Sequence, residues 1–193
     1  MKLKVSFLGL LIILMLIFSG CDLFDDDTTC ECGGDCQCAD CECTDCECKD
    51  SENTIKFIPT EFELEVFDLT NAERANHGLT ALIWHDTLAY AARKHSEDLM
   101  LNDMTGHAGS NGSTVGERIE SAGITNWRTW AENCAYGYTT PAAVVEGWMN
   151  SPRHRTNILK DNVTHLGVGY VPRPQGANAQ YSTYWTQKFC AFR

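Results

Sequence analysis

An abrupt change of composition at Thr54 confines any packed fold to the last part of this chain. From Asp22 to Asn53, twelve acidic side chains face a single cation, Lys49, and large apolar residues are almost absent. Such a stretch has too little to bury to offset the entropy of ordering it, and it reads as a solvated, self-repelling tether. Its net charge, 12 − 1 or eleven negative, equals the −11 of the whole chain. Residues 54–193 therefore sit near neutrality, with 14 acidic against 12 basic side chains. No basic patch is available to neutralise phosphates, so nucleic acid is excluded as a partner.

Residues 1–20 read as an address. Lys2 and Lys4 precede an apolar run from Phe7 to Phe18, short of the roughly 20 residues that span a bilayer and right for a signal-peptide core. Ile17-Phe18-Ser19-Gly20-Cys21 resembles a bacterial lipobox, which makes Cys21 the acylated N-terminus and a lipid membrane its partner. The expected location is outside the cytoplasm, lipid-anchored to the bacterial cell envelope. Residues 21–53 then form the tether, with eight cysteines in Cys-x-Cys pairs from Cys30/Cys32 to Cys46/Cys48. Thiolates at that density suit soft metals, whereas export favours disulfides. A disulfide-linked spacer, metal capture and intermolecular cross-linking all stay open.

Residues 54–193 are the right length for one domain with a single core. Thr60-x-x-Glu63 is a capping box opening a helix that Gly78 stops. Asp86 is expected to cap a second helix whose apolar face carries His95, read as a hydrogen-bonded core residue. Ser113 or Thr114 starts a short third helix. Thr140-Pro141 and Ser151-Pro152 each start another by the rule that proline suits the first helical turn. The pattern then changes period: Leu166-x-Val168-x-Tyr170 alternates as a strand does, and Tyr181 to Phe192 reads as a second, longer strand. Helices followed by a hairpin predict an α+β fold with helices covering a small antiparallel sheet. Gly106 to Gly116, polar and glycine-rich, reads as a mobile loop.

Several phrases now carry a resemblance: Leu69-Thr70-Asn71-Ala72-Glu73-Arg74, His107 in its glycine-bounded loop, Gly116-Glu117-Arg118-Ile119, Ala131-Glu132-Asn133, Trp148 to Leu159, and Tyr184-Trp185-Thr186-Gln187. Their order over roughly residues 62–192 resembles the bacterial CAP superfamily, the SCP-like extracellular domain shared with antigen 5 and plant pathogenesis-related proteins. The resemblance implies an α-β-α sandwich with a cleft where histidines and carboxylates converge. It implies His107 and Glu132 as site residues, joined by Glu117 and His154. Two positions depart from the animal and plant pattern: Ser151 replaces a glutamate and Tyr184 a histidine. Tyr184 is kept among the ligand-binding candidates, but the two-histidine zinc site of animal members does not carry over directly.

Imidazoles and carboxylates in one cleft could hold a divalent metal such as zinc at His107, Glu132 and His154. They could also activate a water, or hydrogen-bond one another and stiffen the walls. The enzyme reading lacks a nucleophile: Ser110, Ser113 and Ser151 suit loops and caps. Cys134 and Cys190, alone in the domain, read first as a disulfide in an exported protein. The expectation is therefore binding of an extracellular ligand, a lipid, peptide or cell-wall fragment. A hydrolase at the same residues and an adhesive surface protein are the alternatives.

Overall fold

The computed structural model describes residues 57–193. The signal segment, Cys21 and the Cys-x-Cys tether lie outside the described residues. The elements run α1 (Glu61–Asn76), β1 (Ile83–Trp84), α2 (Asp86–Leu101), α3 (Val115–Ser121), β2 (Trp127–Tyr136), α4 (Pro141–Asn150), α5 (Pro152–Ile158), β3 (His165–Pro172) and β4 (Thr183–Phe192).

Helix starts follow local chemistry. Both sides of the Thr60/Glu63 capping box are made, and the Thr140 hydroxyl accepts from Ala143 N ahead of Pro141. Ser151 precedes Pro152 without a side-chain cap bond. The cap of α2 differs from expectation: His85 Nδ1 accepts from Leu88 N, and Asp86 is the first helical residue. An acceptor nitrogen on a neutral imidazole does here what a carboxylate usually does.

The sheet has four strands in the order β1-β3-β4-β2. The expected β3–β4 hairpin is antiparallel and pairs His165 with Cys190 through to Pro172 with Thr183. Two strands were not expected: β1 adds a two-residue parallel edge beside β3, and β2 pairs antiparallel with β4 along the other edge. The alternation of β2 is hidden because its second half, Ala131 to Ala135, is buried throughout, as happens to strands covered on both faces. Its outer edge is closed by side chains: Asn157 Nδ2 donates to Glu132 O at 3.0 Å and Trp148 Nε1 to Cys134 O at 3.3 Å. Covering unpaired carbonyls in this way blunts an edge strand.

Helices α1, α4 and α5 pack on one face around Val66, Val144, Trp148, Ile158, Trp185 and Phe189. Helix α2 covers the other face, so the fold is the α-β-α sandwich implied by the resemblance. Along β3, Leu166 and Val168 enter the α1 side of the core, while Gly167 and Gly169 lie under α2. A Cβ on Gly169 would stand 2.1 Å from Arg93 N, and one on Gly167 2.1 Å from Ala89 N. The missing side chains let the α2 backbone rest directly on the strand.

Candidate functional site

Period-two alternation on β2 and β4 sorts the polar residues onto two faces. Register places Glu132 opposite Lys188 and Cys134 opposite Thr186, so these four point toward α2. Asn133 and Gln187, also paired, point the other way.

On the α1 side the polar residues build structure. Asn133 Nδ2 donates to Gln187 Oε1 and to His154 O, both at 3.1 Å. Asn157 Nδ2 donates to Asn133 Oδ1 at 2.9 Å, and Gln187 Nε2 to Thr70 Oγ1 at 2.8 Å. Arg74, 1% exposed, donates to Thr80 O, Ile158 O and Lys160 O. Much of the recognised phraseology, from Thr70 and Arg74 to Asn133, Asn157 and Gln187, therefore satisfies buried polar groups and ties helices to sheet.

On the α2 side Glu132 is the hub. Its Oε1 accepts from His107 Nδ1 at 2.9 Å and lies 3.7 Å from His95 Nε2. Its Oε2 accepts from Lys188 Nζ, and from Arg118 Nη2 at 3.1 Å. The Glu132 and Lys188 side chains are essentially without solvent, whereas that of His107 is 54% exposed. Burial by itself would raise the Glu132 carboxyl. The His107 hydrogen bond and the charges of Lys188 and His95 outweigh it and hold the group well below the usual carboxylate range. Burial also lowers His95, to about 4, so its ring is neutral at pH 7.

His107 is brought to Glu132 by the turn after α2. Gly106, at φ 102°, takes a conformation that a side chain would strain, and its N–H donates to Tyr136 Oη at 2.6 Å. Arg118 donates to His107 O at 2.8 Å. Ser110 donates through both its N–H and its hydroxyl to Asp98. The loop expected to be mobile is thus anchored at three points to its surroundings. The His107 ring nitrogen Nδ1 serves as donor because the partner is an ionised carboxylate, which leaves Nε2 free.

Of the expected site residues, the structure brings His107 and Glu132 into contact. His154, on α5 across the β2 edge, is near enough that His107 adds to the lowering that burial imposes on its ring. Glu117 is elsewhere: its carboxylate accepts from Thr114 N and Oγ1, both at 2.8 Å, as the capping residue of α3. Tyr184 is fully buried beside Leu99, Met100 and Ala179 and lines no cleft. Among the described residues, Cys134 and Cys190 are free thiols. Cys134 pairs with Thr186 and Cys190 with Trp130, four residues apart along β4, roughly 13 Å at strand rise and beyond disulfide reach. Burial pushes Cys134 far above an ordinary thiol, so it is not an activated nucleophile, and the Ser110 hydroxyl donates to the Asp98 carboxylate rather than to an imidazole. Arg118, Lys188 and His95 complete the site from outside the expected set; only the strand pairing of residues 56 apart in sequence reveals Lys188.

A divalent metal at His107, Glu132 and His154 does not fit this donor set. Both carboxylate oxygens of Glu132 are taken, Oε1 by the His107 imidazole and the Arg118 guanidinium, and Oε2 by the Lys188 ammonium and the same guanidinium. A dication at bonding distance from Glu132 would sit beside two fixed positive charges.

A family model described as CAP, the cysteine-rich secretory protein family, matches residues 67–189. The chain is 40% identical over 128 residues to YkwD of Bacillus subtilis, covering 66% of this chain and 46% of that protein. It is also 40% identical over 139 residues to the B. subtilis membrane protein YlbC, covering 72% of this chain and 37% of that one. The match thus spans less than half of either relative. Among solved structures it is similar to an extracellular SCP-domain protein of Bacillus anthracis, at TM-score 0.59 and 32% identity over 66% of this chain and 39% of that one. An outer surface protein of Borrelia burgdorferi shares the fold, at TM-score 0.62 and 20% identity over 70% of this chain and 97% of that one.

Proposed function

The chain belongs to the cysteine-rich secretory protein, or CAP, family, and on that premise we propose that it is an exported, lipid-anchored envelope protein whose domain binds an extracellular ligand at the β2 edge. The ligand class is a lipid, a peptide or a cell-wall fragment. One observation carries the reading: the half-exposed His107 ring is held through Nδ1 by a buried, ionised Glu132, so that Nε2 is left without a hydrogen bond among the described residues. Preorganising a single polar contact in this way is how a cleft fixes the orientation of what it binds.

The test is chemical-shift titration of the histidine rings with three probes: muropeptides, short peptides and phospholipid vesicles. Binding of one probe should perturb His107 and weaken at least tenfold in His107→Ala, while Glu117→Ala, which touches only a helix cap, leaves affinity unchanged. Equal affinity in wild type and His107→Ala would remove the cleft reading. The Glu132–His107 pair also has the arrangement of an oriented general base, which supports hydrolysis as a second reading. Turnover of a peptide or ester that vanishes in Glu132→Gln would promote it.

Anchoring rests on the Phe7–Phe18 run and the Gly20-Cys21 ending. Cys21→Ala should move the protein from the membrane pellet to the soluble exported fraction and abolish labelling by radioactive palmitate. A variant that stays in the pellet and takes up label would exclude this anchor.

A further inference from the structure

We propose that His85, with His165 beside it, is an acid-sensitive switch: the neutral His85 ring caps α2, and its protonation releases the first turn of that helix. Helix α2 starts without the usual oxygen cap. His85, in an extended conformation at φ −137° and ψ 112°, accepts from Leu88 N through Nδ1 at 3.3 Å. A ring nitrogen accepts only while it carries no proton, so the capping ring is neutral with its hydrogen on Nε2. Protonation makes Nδ1 a donor that faces another donor. It also places a positive charge at the N-terminus of a 16-residue helix, where the macrodipole favours anions. An asparagine would cap this helix at any pH; histidine makes the cap conditional.

The groups around the ring set where the switch turns. His165, on β3, meets His85 edge to face with ring centroids 5.7 Å apart, and Phe192 of β4 lies against both, at 5.1 and 4.6 Å. Backbone pairing holds the two histidines side by side: Ile83 pairs with His165, and His85 N donates to Leu166 O at 3.1 Å. Two imidazolium charges at that spacing repel, so His165 opposes protonation of His85. Asp86 of α2 pulls the other way, although its carboxylate also accepts from Trp84 Nε1 at 2.7 Å. Helix α3 meets Leu88 with Val115 and Ile119, and the neighbouring Cys190 thiol, pushed up to about 11 by burial, carries no charge in this range. Burial and His165 outweigh Asp86 and lower His85 from the ordinary 6.5. An uncapped ring, free of these constraints, binds the proton more tightly, so the cap is formed at neutral pH and is lost as pH falls below that value. His85 precedes α2 and His107 follows it, and the switch stands whatever the cleft binds.

The experiment titrates the full chain, labelled with 15N and 13C, from about pH 7.5 to 4.5, which brackets an imidazole transition. The His85 ring nitrogens report protonation, and the backbone shifts of Thr87 to Ala89 report the first turn, both read on the resonances of the folded species. In wild type the His85 Nδ1 signal should change from acceptor to protonated nitrogen. Over the same range the first turn should lose its helical shifts, the ratio of formed to opened turn falling on the order of tenfold, the worth of a typical N-cap. Ala91 to Lys94 should keep theirs. His85→Asn, which retains an acceptor that does not titrate, should hold the first turn helical throughout, and His165→Gln should move both wild-type transitions to higher pH together. Should a variant fail to fold, the wild-type titration decides alone. A first turn that stays helical after His85 is protonated, a ring still neutral at the acid limit, an equal opening in His85→Asn, or an unmoved midpoint in His165→Gln overturns the proposal.

Discussion

Gly169→Ala is expected to lower the stability of the domain by about 3 kcal/mol, the upper end of the range for overpacking a tight core. The added Cβ would lie 2.1 Å from Arg93 N, 2.3 Å from Ala92 C and 2.4 Å from Arg93 Cα. All three are backbone atoms of α2, so no side-chain rotation relieves the clash and the helix itself must lift from the sheet. Lifting it withdraws Ser96 from its 2.8 Å hydrogen bond to Thr186 Oγ1 and draws His95 away from Glu132, so local overpacking reaches the site. Gly176→Ala is the comparison: its φ of 84° strains a side chain, yet nothing lies within 4 Å of the new Cβ, and only about 1 kcal/mol should be lost. Urea unfolding of the two variants checks the difference. A Gly169→Ala protein within about 1 kcal/mol of wild type would mean that α2 does not depend on this close approach.

Where the chain writes its structure locally, the sequence and the structure agree. The Thr60/Glu63 box and the Thr140-Pro141 start each need only residues within one helical turn, and both are legible. Glu117 shows how a phrase can mislead: Thr114-x-x-Glu117 is the same capping signature, but its place in a recognised phrase drew it toward the cleft. The β2 strand is illegible for another reason. Helical layers on both faces erase the polar-apolar alternation over Ala131–Ala135, leaving Glu132 without an assigned element and its cross-strand partner invisible. His95, expected as a hydrogen-bonded core residue, is 1% exposed with Gly106 O at 3.4 Å. Only the fold shows that the same ring also borders Glu132. The disulfide expectation fails on register, since an even cysteine count says nothing about which residues face each other across strands. Sequence thus names the hub, His107 with Glu132, while the cations that fix its charge come from pairings distant in the chain.

Acid should destabilise the domain in a window set by His95. Its side chain is buried, and Nδ1 has no hydrogen-bond partner among the described residues. Burial dominates the lowering to about 4; the Glu132 charge opposes it, and the charges of Arg118 and Lys188 add to it. The folded ring therefore stays neutral down to about pH 4, whereas the unfolded ring, with the ordinary value of 6.5, takes up a proton first. Between those limits the unfolded state binds more protons, so stability falls as pH falls, and the gap corresponds to about 3 kcal/mol. Glu132 acts in the same direction at lower pH. Its folded carboxyl is held below the ordinary value, so its contribution is present above about pH 4.5 and is lost as the medium becomes more acid. Burial lowers His85, His154 and His165 as well, so the wild-type slope alone does not isolate one ring. His95→Gln does, by keeping a polar side chain that does not titrate. Unfolding free energies measured in urea from about pH 7.5 to 4 should fall about 3 kcal/mol less in this variant than in wild type. Parallel curves would show that the proton is taken up elsewhere and that the His95 ring is not the group that makes the domain acid-sensitive.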